Sequence, residues 1–417
     1  PGNSIKVSDP FIASGAGDLH PAAGSAGLAD KGQDWEGVED DLDFDGKPRK
    51  SGSSVDIGCY EVDATLFSCS FDAADGKVEG FIDEDFGLVS DIVNPPDGVK
   101  FGYDWTLTDR FGKVIKSNDA NPTLRLPGGW YSVEMSVYNV DNPAQRAAAS
   151  PRVDFLHVCA RDLYATAGNA NAAYPWATPE TGSTNVNELL TEAIGGCVIH
   201  IGEGTFTNRA EMVVNKAVTI TGEGWEKSVI RILGSANRRV LCLDHEGAVC
   251  EKVTLCDSRN NLHGGNDDGY GTGVRIASAG GELRDCRVTD NQAMNYYQFG
   301  AGVSVRSSKG VVRRCIIDNN SNLYRETVQH GGGIDVTAGL VENCLVVSNT
   351  SGDGAGISLS GGTIRNCTVA FNKALKCWET APGGTYMGGY SGGVRLNGGG
   401  KLQNRVFYAN TAETNMA

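Results

Sequence analysis

Val312-Arg313-Arg314-Cys315-Ile316-Ile317-Asp318-Asn319-Asn320 and Val341-Glu342-Asn343-Cys344-Leu345-Val346-Val347-Ser348-Asn349 are one phrase written twice. Each has an apolar residue three positions before a Cys and an Asn five positions after it. Working outward, the phrase recurs at Val253-Thr254-Leu255-Cys256, Leu283-Arg284-Asp285-Cys286, Ile364-Arg365-Asn366-Cys367 and Leu402-Gln403-Asn404-Arg405, making six copies. The Asn follows each time, at Asn261, Asn291, Asn320, Asn349, Asn372 and Asn410. A third register precedes the last five copies, a Gly introducing a β-branched residue: Gly273-Val274, Gly302-Val303, Gly333-Ile334, Gly356-Ile357 and Gly393-Val394.

The units run about 23 to 38 residues. No Asn-Gly turn joins adjacent strands, and each strand recurs only after a full circuit, so a unit is one coil of a solenoid and not a hairpin. Coils stack about 4.8 Å apart, which turns equivalent positions into ladders. The spacing predicts that Cys256, Cys286, Cys315, Cys344 and Cys367 fill the interior as small hydrophobes. The stacked Asn residues are expected to adopt the left-handed backbone conformation at one corner and to satisfy its turn amides. Arg405 breaks the Cys ladder, and an inward Arg needs a partner or solvent; the coil stack is expected to open there.

Upstream, Leu189-Leu190-Thr191-Glu192-Ala193-Ile194 reads as a short amphipathic helix, followed by strands at Val198–Ile201, Gly204–Phe206 and Val218–Gly222. Together with Tyr164-Ala165-Thr166-Ala167-Gly168-Asn169 and Tyr174-Pro175-Trp176-Ala177-Thr178, this resembles the N-terminal cap and first coils of the pectin-lyase-like superfamily. It is similar to large bacterial surface proteins with polymorphic-outer-membrane-protein-like repeats. The resemblance implies an all-β chain carrying a right-handed parallel β-helix over 158–417, incomplete at its C-terminal end, and an extracellular or cell-surface location. It is specific for fold and weak for activity.

Residues 1–61 are loop-rich, and pieces such as Asp9-Pro10-Phe11, Gly46-Lys47-Pro48-Arg49 and Val55-Asp56-Ile57-Gly58-Cys59-Tyr60-Glu61 resemble the segment that closes a β-helix in the same bacterial proteins. Asp41, Asp43 and Asp45 followed by Gly46 have the spacing that begins a calcium loop, but Gly52 stands where an EF-hand places its bidentate Glu. The alternative is a solvated acidic turn. From 62 to 157, Tyr103-Asp104-Trp105-Thr106-Leu107 and Trp130-Tyr131-Ser132-Val133-Glu134-Met135-Ser136-Val137 alternate as half-buried strands. They resemble a PKD-type immunoglobulin-like module, with Trp105 in the core. A Cys59–Cys69 disulfide is one pairing that sequence leaves open.

The 417 residues carry a net charge of −15, which argues against nucleic acid, because phosphate binding needs clustered Lys and Arg. No apolar run is long enough to be a transmembrane segment, and no cofactor is required, calcium being the one candidate. The front segment of one copy is expected to complete the open coil of the next in a head-to-tail filament; a longer parent chain with neighbouring repeats would look the same. Partners are therefore copies of itself or such repeats, with a polysaccharide as the other candidate.

Between the Asn ladder and the following Gly, successive coils insert loops on one edge. They carry His263, Asp267, Asp268 and Tyr270, then Tyr296, Tyr297 and Phe299, then Tyr324, Arg325, Glu326 and His330, then Trp378, Glu379, Tyr386 and Tyr390. Flat rings and carboxylates suit a sugar, so Tyr296, Tyr297, Tyr324, Trp378, Tyr386, Tyr390, Asp267 and Asp268 are the glycan-binding candidates. No aspartate pair is evident in adjacent coils, which favours packing over catalysis. Arg284, Arg313 and Arg365, with Glu342 among them, read as a solvated outward ladder. The expected function is structural or adhesive, and the alternative is a carbohydrate-active enzyme or glycan-binding protein using the loop edge.

Overall fold

A computed structural model describes residues 11–13, 18–21, 33–34, 38, 41–46, 48–50, 55, 67–96, 98–143, 145–232, 238–260, 270–295, 299–322, 330–378 and 386–413. The chain divides into two compact units, Pro1–Val158 and Cys159–Ala417.

In the first unit, alternation builds a two-layered core. Strands Ser68–Ala73, Asp85–Val93 and Thr123–Arg125 form one sheet, and a six-stranded sheet is centred on Phe101–Asp109 and Gly129–Asn139. Successive side chains of a strand face opposite ways, so Tyr131, Val133, Met135 and Val137 enter the core together with Trp105, Phe71 and Phe86. Trp105 is 1% exposed, and its indole donates to the Asp119 carbonyl at 2.9 Å, satisfying the one polar atom of a core residue. Burial pushes the half-buried Cys69 thiol up; Cys69 is a free thiol, and Cys59 lies outside the described residues.

The second unit is a parallel solenoid. Four parallel sheets of nine, eight, seven and six strands run along it, each strand pairing with its equivalent one coil away. A single coil shows the plan: Gly281–Arg284, Arg287–Thr289, Gln292–Ala293 and Val303–Val305 lie on successive sheets. At its start, Val186–Glu192 forms the expected short helix, beginning earlier than Leu189 because Asn185 caps it, its side chain accepting from the Asn187 amide. Val186 and Leu189 are its buried face.

The ladders differ from expectation in one coil and at one corner. Thr254 pairs with Arg287 and Cys256 with Thr289, so the residue in register with Cys286 is Val253. The inward column is therefore Val253, Cys286, Cys315, Cys344, Cys367 and Arg405, and Cys256 stands outside it. Val supplies the same kind of small apolar filling, so the first copy slips by three residues. The Asn ladder slips with it: Ser258 occupies the first position, its amide donating to Asn291 Oδ1, and Asn261 lies outside the described residues. Cys286, Cys315, Cys344 and Cys367 are at most 3% exposed, as core packing requires, whereas Arg405 is exposed.

The left-handed residue is not the ladder Asn but the one before it. Asp290, Asn319, Ser348 and Phe371 have φ between 52° and 57°. The ladder Asn is instead fully buried and acts through its side chain. Asn320 Nδ2 donates to the carbonyls of Val288 and Asp318 and to Asn349 Oδ1 at 2.9, 3.0 and 3.1 Å, while its Oδ1 accepts from the Asn291 amide at 3.1 Å. This packing also explains the Gly register: a Cβ on Gly302 would come within 2.5 Å of the Gly333 carbonyl and 2.8 Å of Asn320 Nδ2. A second left-handed corner, at Asp285, Arg314, Asn343 and Asn366, precedes the Cys column.

Candidate functional site

Three-residue strands of the seven-stranded sheet turn their outer two side chains inward and the middle one outward. From coil to coil the outward residues are Cys242, Arg275, Ser304, Asp335, Ser358 and Arg395. Just before these strands, Tyr270, Phe299, His330 and Asp353 are joined by single parallel bridges. Ring centroids stand 5.4 Å apart between Tyr270 and Phe299, and 5.5 Å between Phe299 and His330, with interplanar angles of 18° and 19°. Coil spacing places the rings at stacking distance without any special contact.

Two arginines tie the columns together. The Arg306 guanidinium lies 3.6 Å from the Tyr270 ring centroid and 2.9 Å from Asp335 Oδ2. Arg395 Nε stands 3.2 Å from Asp353 Oδ2. Asp335 and Asp353 are 5% and 6% exposed, and burial outweighs the cations, holding both carboxyls above the usual carboxylate range. Burial, followed by the field of Arg395, brings His330 down to about 4. Asp353 is 4.0 Å from His330 Nδ1 but nearer to Arg395, so its charge is spent on the guanidinium and His330 stays neutral at pH 7. A neutral imidazole, two protonation-prone carboxyls and two guanidiniums thus line an aromatic edge, a set suited to hydrogen-bonding a polyhydroxylated ligand.

Of the glycan-binding candidates, Tyr390 is 61% exposed. Trp378 and Tyr386 pair in a small antiparallel hairpin, Lys376–Trp378 with Tyr386–Gly388. Tyr296, Tyr297, Tyr324, Asp267 and Asp268 lie outside the described residues. The structure brings together Tyr270, Phe299 and His330 from the wider loop set and adds Asp335, Asp353, Arg306 and Arg395. Asp335 and Asp353 belong to consecutive coils and both feel Arg395, but they stand in different registers, Asp335 in line with Ser304 and Ser358 and Asp353 in line with His330. Gly333-Ile334-Asp335-Val336 held the signal: a polar residue between two β-branched ones, on the outward register.

The outward column of the first sheet is also more buried than expected. Arg284, Arg313, Glu342 and Arg365 stack in register, yet the side chains of Glu251 and Glu342 are only 12% and 10% exposed. Each carboxylate is held by an arginine of a neighbouring coil: Arg284 on Glu251, Arg313 Nε on Glu282 at 2.8 Å, and Arg365 on Glu342 at 2.6 Å. The ladder is thus a set of ion pairs whose carboxylates are largely buried and whose arginines, with side chains 32–46% exposed, still face solvent.

Asp41, Asp43 and Asp45 serve their own turn: Asp43 Oδ1 accepts from the Asp45 amide at 2.9 Å, and Asp41 Oδ1 from the Leu42 amide at 3.0 Å. Among the described residues, no group of three or more His, Cys, Asp or Glu is disposed to hold a metal, and no helix is long and apolar enough to cross a membrane.

Residues 249–416 match a family described as right handed beta helix region, and the solenoid is accordingly a right-handed parallel β-helix. Two solved structures resemble the chain: pectin methylesterase PemA from Erwinia chrysanthemi, at a TM-score of 0.33 and 8% identity over 60% of this chain and 90% of that one, and a pectin methylesterase mutant in complex with a hexasaccharide, at 0.33 and 8% over 57% and 89%. Likeness of that degree carries no argument about chemistry. No curated protein sequence matches the chain.

Proposed function

We propose that this is a secreted or cell-surface structural and adhesive protein, its β-helix a stiff stack of coils and its sandwich a PKD-like spacer. The observation that carries this reading is how the polar side chains of the coils are used. Arg284, Arg287, Arg306, Arg313, Arg314, Arg365 and Arg395 each bind a carboxylate of the neighbouring coil: Glu251, Asp318, Asp335, Glu282, Asp285, Glu342 and Asp353. Charges spent on adjacent coils stiffen the stack and are not free for a substrate. Single exposed pairs contribute little, whereas several charges joined in a network contribute more.

A second reading, glycan contact at the loop edge, is favoured by the Tyr270–Phe299–His330 column beside Asp335 and Asp353. Incubating the full chain with neutral and acidic polysaccharides, with and without calcium, while following reducing ends and unsaturated products, separates the two. The structural reading expects no turnover. Turnover that is lost in Asp335→Asn or Asp353→Asn overturns it and makes the edge an active site.

A further inference from the structure

Cys159 ends the strand Arg152–Cys159, and Cys197 stands immediately before Val198–Ile201. Their Sγ atoms are 3.5 Å apart, both thiols are free, and they are 3% and 1% exposed. The ladder thiols are arranged differently. Cys315, Cys344 and Cys367 stand in register on parallel strands, with Sγ 3.6, 3.8 and 3.9 Å from the carbonyls of Leu283, Val312 and Val341. Along the stack these thiols also interact with one another, Cys344 with both Cys315 and Cys367. Cys159 and Cys197 are not in register: the Val198 amide bonds the Arg161 carbonyl, which sets Cys197 across from the stretch just after Cys159. The 3.5 Å between the two sulfurs has to close to the ~2.05 Å of a disulfide.

We infer that Cys159 and Cys197 are a disulfide-forming pair, a covalent staple across the first coil that encloses the cap helix Val186–Glu192. The inference does not rest on the proposed function. The local chemistry supports it: Cys197 Sγ accepts from the Ile194 amide at 3.3 Å, and Lys216, whose Nζ donates to the Ala193 carbonyl at 2.8 Å, lies close by. The hydrogen bond from Cys159, then the Ile194 amide and Lys216, hold the Cys197 thiol below its ordinary value despite burial, while the same hydrogen bond and burial push Cys159 up. We assign the attack to Cys197, which the Ile194 amide and Lys216 face and which deprotonates as the oxidant reaches it. With a small-molecule disulfide such as oxidised glutathione as oxidant, the Cys197 thiolate attacks one glutathione sulfur and expels the other as a thiolate. Cys159, losing its proton, then attacks Cys197 Sγ of the mixed disulfide and releases the second glutathione. Two protein thiols are oxidised, and one glutathione disulfide is reduced to two thiols.

The test uses the full chain, produced in an oxidising compartment in one arm and incubated natively with oxidised glutathione in the other. Each sample is unfolded in the presence of an alkylating agent without reductant, digested, and mapped by mass spectrometry. The expected result, in either arm, is a cross-linked peptide pair holding Cys159 and Cys197 at a mass two hydrogens below their sum, with Cys286, Cys315, Cys344 and Cys367 alkylated. The unfolding midpoint should drop by roughly 5–10 °C on reduction, for a closed loop of this length, and Cys159→Ser should abolish that difference. Recovery of both cysteines in alkylated form from both arms, or their bonding to other cysteines, overturns the inference.

Discussion

Asn320→Ala removes the centre of the Asn ladder. The side chain is fully buried and makes three donor contacts, to the Val288 and Asp318 carbonyls and to Asn349 Oδ1, while its Oδ1 accepts from the amide and from Nδ2 of Asn291. In the alanine variant the Asn320 main-chain amide keeps its bond to Asn349 Oδ1, and Asn291 Nδ2 keeps the Leu255 and Thr289 carbonyls. The Asn291 amide keeps nothing, and an orphaned buried donor costs ~1–3 kcal/mol, with ~0.5–1.5 kcal/mol for each further bond lost; the variant should be destabilised by about 4 kcal/mol. Asn320→Asp retains an acceptor for the Asn291 amide but sets a carboxylate against two carbonyl oxygens, so it should cost at least as much. Guanidinium unfolding of the full chain, followed by far-ultraviolet circular dichroism, measures both. A loss under about 1 kcal/mol for Asn320→Ala, or a neutral Asn320→Asp, would refute the claim that the ladder holds this corner through its side chains.

Cys315→Asp should destabilise the stack by more than about 3 kcal/mol, a buried unpaired carboxylate having no compensation, while Cys315→Ala costs about 1 kcal/mol; equal midpoints for the two in the same assay would exclude core packing. His330 is lowered from 6.5 to about 4 by burial and Arg395, so the unfolded chain takes its proton first. Its contribution is present above pH 6.5 and is lost as pH falls toward 4, by up to about 3 kcal/mol, offset at the acid end by the raised Asp335 and Asp353. His330→Gln should flatten that slope in midpoints measured from pH 7.5 to 4.5, and an unchanged slope would assign it elsewhere. Seven added Gly/Ser residues between Asn349 and Gly356 should cost only about 0.6 kcal/mol by loop-closure entropy. One residue added between Cys344 and Asn349 should instead turn inward side chains outward and abolish cooperative unfolding, which thermal melts of the two variants would compare.

The fold was legible because three registers repeat at fixed offsets, and a ladder needs nothing more than that. What misled in the first coil was chemical identity: Cys256 matched the letter of the pattern, whereas the interior asks only for a small apolar side chain, which Val253 supplies. The left-handed corners were placed one residue late for a related reason. Asp290, Asn319, Ser348 and Phe371 share no residue type, because position in the turn and not side-chain preference imposes their φ. The candidate site was half legible. The aromatic edge stood in the sequence, but Asp353 and Arg395 lie more than forty residues apart, and only stacking of adjacent coils makes them neighbours.

The same geometry explains why sequence variation in the β-helix concentrates on one edge. From Cys to Asn the interval is always five residues, since a three-residue strand and one left-handed corner fill it. From Gly to the next Cys position it stays between eleven and thirteen. From Asn to Gly, by contrast, it ranges from seven residues between Asn349 and Gly356 to twenty-one between Asn372 and Gly393. The two ends of that variable loop are pinned whatever lies between them, since the Asn is held by its ladder and the Gly packs against an Asn amide too closely to admit a Cβ. Length and composition can therefore change there without disturbing the register of the sheets. Tyr270, Phe299, His330 and Asp353 each stand four residues before a strand, and the coil spacing aligns them even though the loops that lead to them differ in length. A stack built this way holds its structural demands in the ladders and leaves this one edge free to vary.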